Sequence, residues 1–487
     1  MKNELSPEMC PDLSGIHSML TASRAEGLLK AVKPLTRRDM LLRSGAGFGM
    51  LGLGSLLAVE QESTNTGGAV SQAGNPLAPK APHFEPRAKR VIFLFMNGGP
   101  SHVDTFDYKP ALKEKEGQAG PGGKYMPSPF RFSKHGESGI EMSELYPHLS
   151  GSADDLCVIR SMHTTTPNHE PGLFMMNSGA QQPIRPSLGS WLTYGLGSEN
   201  QNLPGYVVLC PGKPVVGPAL WGNSFLPGIY QGTHINNSRI DPKQVIGHLN
   251  NPNLSAPQQR KVLDVLQAMN ERHLAARGQD VELDARIASL EMAYRMQSEA
   301  QDAFDIGLET TATRALYGEG EFANGCLIAR RLVERGVRMV QLYYGAGQPW
   351  DAHGDIMDHK RDALKSDQAI AGLLLDLKSR GMLDETLILW GGEFGRTPTA
   401  QGAKGRNHHH TGFTVWLAGG GVKGGMTYGA TDDVGVHAVE NRMDVHDLHA
   451  TVLHLMGVDH TRLTYRYSGR DFRLTDVHGS VATDIVA

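Results

Sequence analysis

Short, continuous apolar runs alternate with helical patterns along most of this sequence, and this alternation restricts the possible folds more than any other feature. The run at 91–96 (VIFLFM) has no polar residue, as expected of a strand buried on both faces of a parallel sheet. Further runs occur at 156–159, 206–209, 337–344, 386–390 and 413–417. Several are separated by helical patterns that stop at Gly336, Gly381 and Gly457. We predict an α/β fold, a three-layer sandwich with a mostly parallel central sheet and helices on both faces.

The segment 256–305 interrupts this alternation, because it is charged, poor in Gly and Pro, and helical in pattern. We predict a helical insertion here, and the alternative is a solvated helical hairpin with no direct role. The α/β domain is predicted to span 89–480, followed by a short tail at 481–487.

The first 60 residues contain the arginine pair Arg37-Arg38, followed by a short, Gly-rich, mildly apolar run at 44–58. This arrangement resembles a twin-arginine signal, so we predict an export signal at 1–60, passage through the twin-arginine translocase and a site of action outside the cytoplasm. The run is too short and Gly-rich for a stable spanning helix, and an uncleaved anchor stays open because no clear A-x-A cleavage site is present. Residues 61–88 are predicted to be a linker.

Charge and cysteine content argue against several classes of function. The 487-residue chain has a formal net charge of -4, which argues against non-specific nucleic-acid binding, because such binding requires a basic face. Cys157, Cys210 and Cys326 are widely spaced and form no Cys-x-x-Cys pair, which argues against a disulfide scaffold and against a thiolate zinc site. We expect these three cysteines to be buried as small apolar side chains.

Carboxylates and imidazoles flank the predicted strands in four places. The four groups are His102, Asp104 and Asp107; Asp351, His353 and Asp355; Glu393 with Arg396; and Arg406 with His408, His409 and His410. In sheets of this kind, ligands bind beyond the carboxyl ends of the strands. Such side chains together suit a divalent metal, namely zinc, manganese, iron or calcium. Each group alone is more often turn chemistry or a solvated loop, but their combination after buried strands predicts a metal site at this edge.

Four longer segments stand out as motifs: 97–107 (NGGPSHVDTFD), 350–355 (WDAHGD), 391–398 (GGEFGRTP) and 447–457 (DLHATVLHLMG). Together they resemble a sulfatase-like family of twin-arginine-exported bacterial proteins that is classed as a domain of unknown function, within the alkaline phosphatase superfamily. The resemblance extends from about residue 90 to 480 and implies an alkaline phosphatase-like fold.

The superfamily pattern implies two adjacent metals, which together would clamp the attacking and leaving oxygens of an in-line displacement. The implied ligands are Asp104 with Glu393 for one metal, and Asp351 with His353 and His408 for the other. His409 is the alternative to His408, because one sequence does not fix the register of three consecutive histidines. Asp355 and His359 have the Asp-x-x-x-His spacing of alkaline phosphatases and form a competing pair.

The chain departs from the sulfatase pattern at the nucleophile. No cysteine is followed by x-P-x-R, the motif in which the residue is oxidised to formylglycine, so a formylglycine sulfatase is not expected. Thr165 falls at the nucleophile position and His169 at the arginine position, with a turn residue and a metal or substrate contact as the respective alternatives. Arg396 and Arg406 are predicted anion contacts, because an arginine fork matches sulfate or phosphate oxygens.

One function is predicted, with one alternative from a different class. The prediction is an exported, metal-dependent hydrolase of sulfate or phosphate esters, acting on a small-molecule or polysaccharide substrate. The alternative is a non-catalytic carbohydrate-binding or surface protein on a degenerate sulfatase-like fold, because a fold does not imply an activity. A phosphomutase of the same superfamily is disfavoured, because its metabolites stay inside the cell.

Overall fold

The computed structural model describes residues 75–238, 254–277 and 281–487, so the predicted export signal at 1–60 lies outside the described residues. The described strands are β1 (Arg90–Phe95), β2 (Ala119–Gly120), β3 (Gly123–Lys124), β4 (Phe132–His135), β5 (Ile140–Ser143), β6 (Leu156–His163), β7 (Tyr206–Leu209), β8 (Thr233–Ile235), β9 (Met339–Tyr343), β10 (Thr386–Gly391), β11 (Gly395–Gln401), β12 (Gly405–His409), β13 (Phe413–Ala418), β14 (Met426–Tyr428), β15 (Ala430–Thr431), β16 (Ala438–Glu440), β17 (Met443–Asp444), β18 (Tyr465–Tyr467) and β19 (Arg470–Phe472). The described α-helices are α1 (His102–Thr105), α2 (Ala111–Glu114), α3 (His169–Ser178), α4 (Leu188–Leu196), α5 (Ala256–Arg277), α6 (Val281–Phe304), α7 (Thr311–Tyr317), α8 (Glu321–Glu334), α9 (Asp358–Ser379) and α10 (Val445–Leu455).

The central sheet has nine strands among the described residues, in the order β14-β6-β13-β10-β1-β9-β7-β8, with β17 also paired to β6. Neighbouring strands are parallel except at β13, which is antiparallel to both β10 and β6. The predicted α/β fold with a mostly parallel sheet and flanking helices is therefore confirmed.

The strand β1 shows why the apolar runs form this sheet. It pairs with β10 on one side and β9 on the other, so that Leu94 lies between Trp390 and Leu342. All three side chains are fully buried. A strand in this position has no solvated face, which is why its sequence is apolar without alternation.

Three helices end where glycine permits a left-handed backbone. Gly336, Gly381 and Gly457 follow α8, α9 and α10 with φ of 83°, 66° and 77°. Glycine adopts this conformation without the steric cost of a Cβ atom, so it ends the helix and lets the chain turn. Each lies at the predicted helix stop.

The segment 256–305 contains the two long helices α5 and α6. Arg260 on α5 forms a two-pronged ion pair with Glu291 on α6, with N–O distances of 2.6 and 2.8 Å. The helices also bury apolar side chains, including Leu263 and Met292.

The first and last described segments of the chain pack closely against the rest of the domain. Residues 75–88, within the predicted linker, contain no helix or strand, yet Leu77 and Ala88 are buried. Residues 481–487, predicted to be a tail, bury Ile485 and pair Val486 with Val422. These contacts make both segments part of the folded domain, because each removes apolar surface from water.

The cysteines behave as expected from the sequence. Cys157, Cys210 and Cys326 are buried and unpaired, and burial raises the pKa of the Cys157 and Cys210 thiols to about 12. Their thiols are therefore protonated at neutral pH and poor nucleophiles. Among the helices of the described residues, none combines the length and the apolar character required to span a bilayer.

Candidate metal centre

The predicted functional segments meet at the carboxyl edge of the central sheet. The loops that follow β1, β9 and β10 lie there, together with the start of α3, which follows β6. Because β13 runs antiparallel to its neighbours, its beginning lies at this same edge. The hairpin of β11 and β12, which directly precedes β13, therefore projects over the carboxyl ends of the other strands.

Four side chains converge in this region and form the histidine–aspartate cluster: His169, Asp351, His353 and His408. One ligand atom from each of them can be chosen so that all four atoms lie within 4.8 Å of one another. The Oδ1 atom of Asp351 is 3.3 Å from Nε2 of His169, 3.0 Å from Nε2 of His353 and 3.3 Å from Nε2 of His408. The Nε2 atoms of His353 and His408 are 2.8 Å apart.

This spacing fits a single metal ion. Ligand atoms bound to a tetrahedral zinc ion at about 2.0–2.1 Å lie roughly 3.3 Å from one another. Three imidazole nitrogens and one carboxylate oxygen are also ligands that zinc, manganese and iron accept. In addition, Nε2 of His169 is buried and faces the Asp351 carboxylate at 3.3 Å, the separation expected of two ligands of one ion.

Two further side chains orient the imidazoles. Nδ1 of His169 donates to Glu393 at 2.5 Å, and Nδ1 of His353 donates to Gln401 at 2.5 Å. Each bond leaves the Nε2 lone pair free to face the centre of the cluster, which is the usual arrangement around metal-bound histidines. Glu393, predicted as a direct ligand, is fully buried and lies behind His169, where it also accepts from the backbone N–H of Gly98 at 3.0 Å.

The cluster carries a concentrated negative charge on Asp351. Burial would raise the pKa of this carboxyl, but the bonds from His169 and His408 and the charge of Arg396 hold the pKa well below its usual range. Burial lowers the pKa of His408, so its imidazole is neutral and able to coordinate at neutral pH. For His169, burial opposes protonation, but the carboxylates of Asp351 and Glu393 raise the pKa above its ordinary value.

Glycine is required where the first strand turns toward the cluster. Gly98 has φ of +118°, and a Cβ atom there would lie 2.7 Å from the backbone nitrogens of Trp350 and Asp351. Any side chain at this position would push the Asp351 loop away. The Gly98 backbone thus allows two loops to approach closely enough to share the cluster.

The structure differs from the sequence prediction at Asp104. Its carboxylate is fully buried and receives two bonds from Arg406, at 2.7 and 3.2 Å, which makes it the partner of a buried ion pair. Ser101 Oγ also donates to it. Both oxygens therefore face protein donors, and Asp104 is absent from the cluster of candidate ligands among the described residues. The same pairing removes Arg406 as an anion contact.

The register of the three histidines is set by β12. His408 pairs with Arg396 and His409 with Gly395, and neighbouring residues of a strand point to opposite faces. His408 consequently enters the cluster, whereas His409 is buried on the other face with Nε2 bonded to the Val436 carbonyl at 2.6 Å.

Asp355 and His359, the competing pair, each form a hydrogen bond to a different part of the backbone. Asp355 accepts from the backbone N–H of Met357 at 2.9 Å at the start of α9. His359 is buried, and its Nε2 accepts from the backbone N–H of Ser101 at 2.9 Å. Burial lowers the pKa of His359 to about 3. These roles are structural, and neither side chain joins the cluster.

Arg396 was predicted to contact an anion, but its guanidinium is fully buried. It donates to the carbonyls of Gly98 and Gly99 and to Oδ1 of Asp351, the last at 2.6 Å. These bonds leave Arg396 no donor directed toward solvent, and they assign it to positioning Asp351 between the β1 and β9 loops.

Thr165, at the predicted nucleophile position, is exposed. Its hydroxyl accepts from Nε2 of Gln181 at 2.7 Å. The flanking residues Thr164 and Thr166 are buried. The structure brings His169 from this loop into the cluster, in agreement with the metal-contact alternative, while no short contact joins Thr165 to the described cluster residues.

Sequence reasoning did not identify Gln401, and no feature of its residue type would have done so. Its role arises because β11 and β12 form a hairpin whose register places it beside His353. That a metal ion binds the predicted ligands stays a prediction.

The fold and the site together define an α/β protein with a candidate metal centre at the carboxyl edge of a mostly parallel sheet. Residues 88–486 match the family described as "Protein of unknown function (DUF1501)". The chain therefore belongs to this family, which confirms the predicted family membership. No curated protein shows significant sequence similarity to the chain.

Several solved structures resemble the chain at low sequence identity. The sulfatase PsFucS1 from Pseudoalteromonas sp. is 13% identical, with 76% of this chain and 68% of that chain covered and a TM-score of 0.34. A protein in the alkaline phosphatase superfamily from Vibrio parahaemolyticus is 11% identical, with 78% and 69% covered and a TM-score of 0.33. The phosphonate monoester hydrolase SpPMH from Silicibacter pomeroyi is 12% identical, with 64% and 68% covered and a TM-score of 0.30.

Proposed function

We propose that this protein is a metal-dependent hydrolase of sulfate or phosphate esters, with the histidine–aspartate cluster as its catalytic centre. The observation that carries the proposal is the convergence of three imidazole nitrogens on one carboxylate oxygen at the carboxyl edge of the sheet. The cluster is reachable from solvent, because the side chain of His353 is 36% exposed and that of Asp351 is 23% exposed.

In this proposal His169, Asp351, His353 and His408 hold one divalent ion. Such an ion lowers the pKa of a coordinated water and neutralises charge that develops on the ester oxygens. Glu393 and Gln401 hold His169 and His353 with Nε2 facing inward. Arg396 holds Asp351 from the buried side, so that the carboxylate stays directed at the imidazoles.

The experiment is a substrate screen of the purified protein. Aryl phosphate, aryl sulfate and aryl phosphonate esters are incubated with protein as purified, with chelator-treated protein, and with treated protein resupplied with zinc, manganese, iron or calcium. We expect turnover of at least one ester class, lost on chelation and restored by one of these ions. Activity that survives complete metal removal, or no turnover with any metal and any ester, would contradict the proposal.

A second candidate is a non-catalytic surface protein that binds carbohydrate. It is favoured by one observation: Arg396 and Arg406, the arginines predicted to hold an ester anion, are fully buried in internal bonds. The same screen separates the candidates. Saturable binding of a sulfated polysaccharide to a metal-loaded protein that turns over no ester would favour this second function.

We further propose export through the twin-arginine translocase, based on Arg37-Arg38 and the apolar run that follows. The expected result is that the wild-type chain accumulates outside the cytoplasm, whereas an Arg37→Lys, Arg38→Lys double variant stays in the cytoplasmic fraction. An unchanged distribution of the double variant would exclude this route.

A further inference from the structure

A polar cavity lies at the same edge of the sheet as the cluster. It is about 180 Å³ in volume and is lined by six residues, which we call the basic pocket: His163, Thr164, Thr411, His437, Ala438 and Arg442. His163 is the last residue of β6, and Thr411 lies between β12 and β13. The wall is held together by backbone bonds from Thr164 N–H to the His410 carbonyl at 2.8 Å and from Ala438 N–H to the Thr411 carbonyl at 2.9 Å.

The basic pocket offers donors that lack protein partners. Arg442 forms no ion pair and no side-chain hydrogen bond among the described residues. The hydroxyl of Thr164 is also without a partner, although this residue is only 5% exposed. A buried hydroxyl without a partner is costly, so its presence in a pocket wall indicates a ligand that it bonds.

The two carboxylates beside the pocket are engaged by other donors. Asp432 accepts from the backbone N–H of His437 at 2.8 Å and from those of Val434 and Val436 at 3.1 and 2.9 Å. The Oδ2 atom of Asp444 is 3.9 Å from Nδ1 of His163. Its Oδ1 already accepts from the backbone and from Nδ1 of His446, at 2.9 and 2.6 Å. The Thr411 hydroxyl donates to the Val436 carbonyl at 2.7 Å, so the donors left for a ligand are the Arg442 guanidinium, the Thr164 hydroxyl and the two imidazoles. Such donors bind the oxygens of sulfate, phosphate or carboxylate.

The volume and position of the pocket restrict the ligands that it can hold. A volume of about 180 Å³ is below the roughly 300–1,000 Å³ of sites for drug-sized ligands, so the pocket suits one small anionic group. Thr411 follows His408 by three residues, and a chain extends by at most about 3.3–3.6 Å per residue, so their Cα atoms are within roughly 11 Å. A group in the pocket and a group at the cluster could therefore belong to one molecule.

We propose that the basic pocket binds a second oxyanion group of the substrate, while the ester to be hydrolysed lies at the histidine–aspartate cluster. The substrate class is thus an ester that carries an additional sulfate, phosphate or carboxylate a few bonds away. This rests on the proposed function, because it assigns the pocket to the same reaction.

The first test does not require turnover. Binding of inorganic sulfate and inorganic phosphate to the metal-free full chain is measured by calorimetry for the wild type, Arg442→Gln and Thr164→Val. We expect saturable binding to the wild type, weakened roughly tenfold by Arg442→Gln and several-fold by Thr164→Val. Thr164→Val is isosteric, removes no internal bond and replaces a buried hydroxyl that has no partner, so it should not lower the thermal unfolding midpoint.

The matched control is Arg466→Gln, an exposed arginine paired with Asp471 at 3.2 Å on the β18–β19 hairpin. This variant should bind both oxyanions like the wild type. Equal affinity of Arg442→Gln and the wild type, or no binding of either oxyanion by the wild type, overturns the pocket as an oxyanion site whatever the catalytic result.

The second test uses metal-loaded protein and an ester found in the substrate screen, with and without a second anionic group. We expect Arg442→Gln to raise KM about tenfold for the doubly anionic ester, with kcat retained and the singly anionic ester unaffected. If Arg442→Gln weakens binding of inorganic oxyanions but leaves both KM values unchanged, the pocket binds a free oxyanion and the substrate assignment is overturned. Absence of all turnover, with binding still dependent on Arg442, refutes the hydrolase and, with it, the substrate assignment, while the oxyanion site itself stands.

Discussion

Replacing Asp351 with alanine is expected to remove the divalent metal from the purified protein and to lower ester hydrolysis at least about a thousandfold. Asp351 is the only carboxylate of the histidine–aspartate cluster, and its Oδ1 is within 3.3 Å of all three Nε2 atoms. Its loss would also leave the positive charge of Arg396, now 2.6 Å from that oxygen, unopposed beside the site. A cation would then meet three imidazoles and a guanidinium, with no carboxylate in the cluster.

The measurement is metal content by mass spectrometry together with kcat/KM of the metal-loaded protein. Asp355→Asn is the matched control, because Asp355 is four residues away and the asparagine retains the oxygen that accepts from Met357 N–H. This control should keep its metal. Stoichiometric metal in Asp351→Ala would show that the cluster is not the metal site.

A graded effect is expected at Glu393. Glu393→Gln keeps the size of the side chain but removes the charge that holds Nδ1 of His169. Loss of such an orienting partner typically weakens metal affinity by about 10–100-fold. A competition assay with a chelating dye measures this change. Complete loss of metal, as in Asp351→Ala, would instead indicate that Glu393 is itself a ligand, as the sequence resemblance implied.

Replacing Asp104 with asparagine is expected to reduce the free energy of unfolding by about 3–5 kcal/mol and to leave metal content unchanged. The carboxylate and the Arg406 guanidinium are both fully buried, so the substitution leaves a buried positive charge without its partner. The result is measured by chemical denaturation, with metal analysis of the folded fraction. Loss of metal without loss of stability would restore Asp104 as a ligand.

The control is Asp471→Asn, which breaks an exposed pair with Arg466 and should change stability by no more than about 0.5 kcal/mol.

The Asp104 pair should also make the wild type sensitive to acid. Burial alone would raise the pKa of Asp104. The charge of Arg406 and the bonds from the hydroxyls of Ser101 and Ser128 outweigh this effect, so the pKa lies below its ordinary value. The unfolded chain then binds the proton more readily, so this contribution is complete above about pH 4 and is lost as the pH falls through the folded-state pKa.

Much of the fold was predictable because its elements are locally encoded. A buried parallel strand must be apolar throughout, which identified β1, β7 and β10. Helix ends were equally predictable at Gly336 and Gly381, because glycine adopts the left-handed backbone there without a steric cost.

The location of the site was predictable for a topological reason. Parallel strands direct the residues that follow them to one edge of the sheet, so Asp351, His353 and Glu393 had to lie near one another once the strands were recognised. The antiparallel direction of β13 then brought His408 to that edge from the other side.

The sequence by itself determined the α/β class, the strands and helix ends, and the edge at which the chemical side chains collect, because each depends on neighbours a few residues away. Only the tertiary structure decided which of those side chains meet. Asp104 pairs with Arg406 across 302 positions of sequence, and His169 reaches Glu393 across 224. The strand register of β12 sends His408 into the cluster and His409 away from it. Such partners are selected by the packing of loops that are distant in sequence, and no residue type or spacing along the chain encodes that choice.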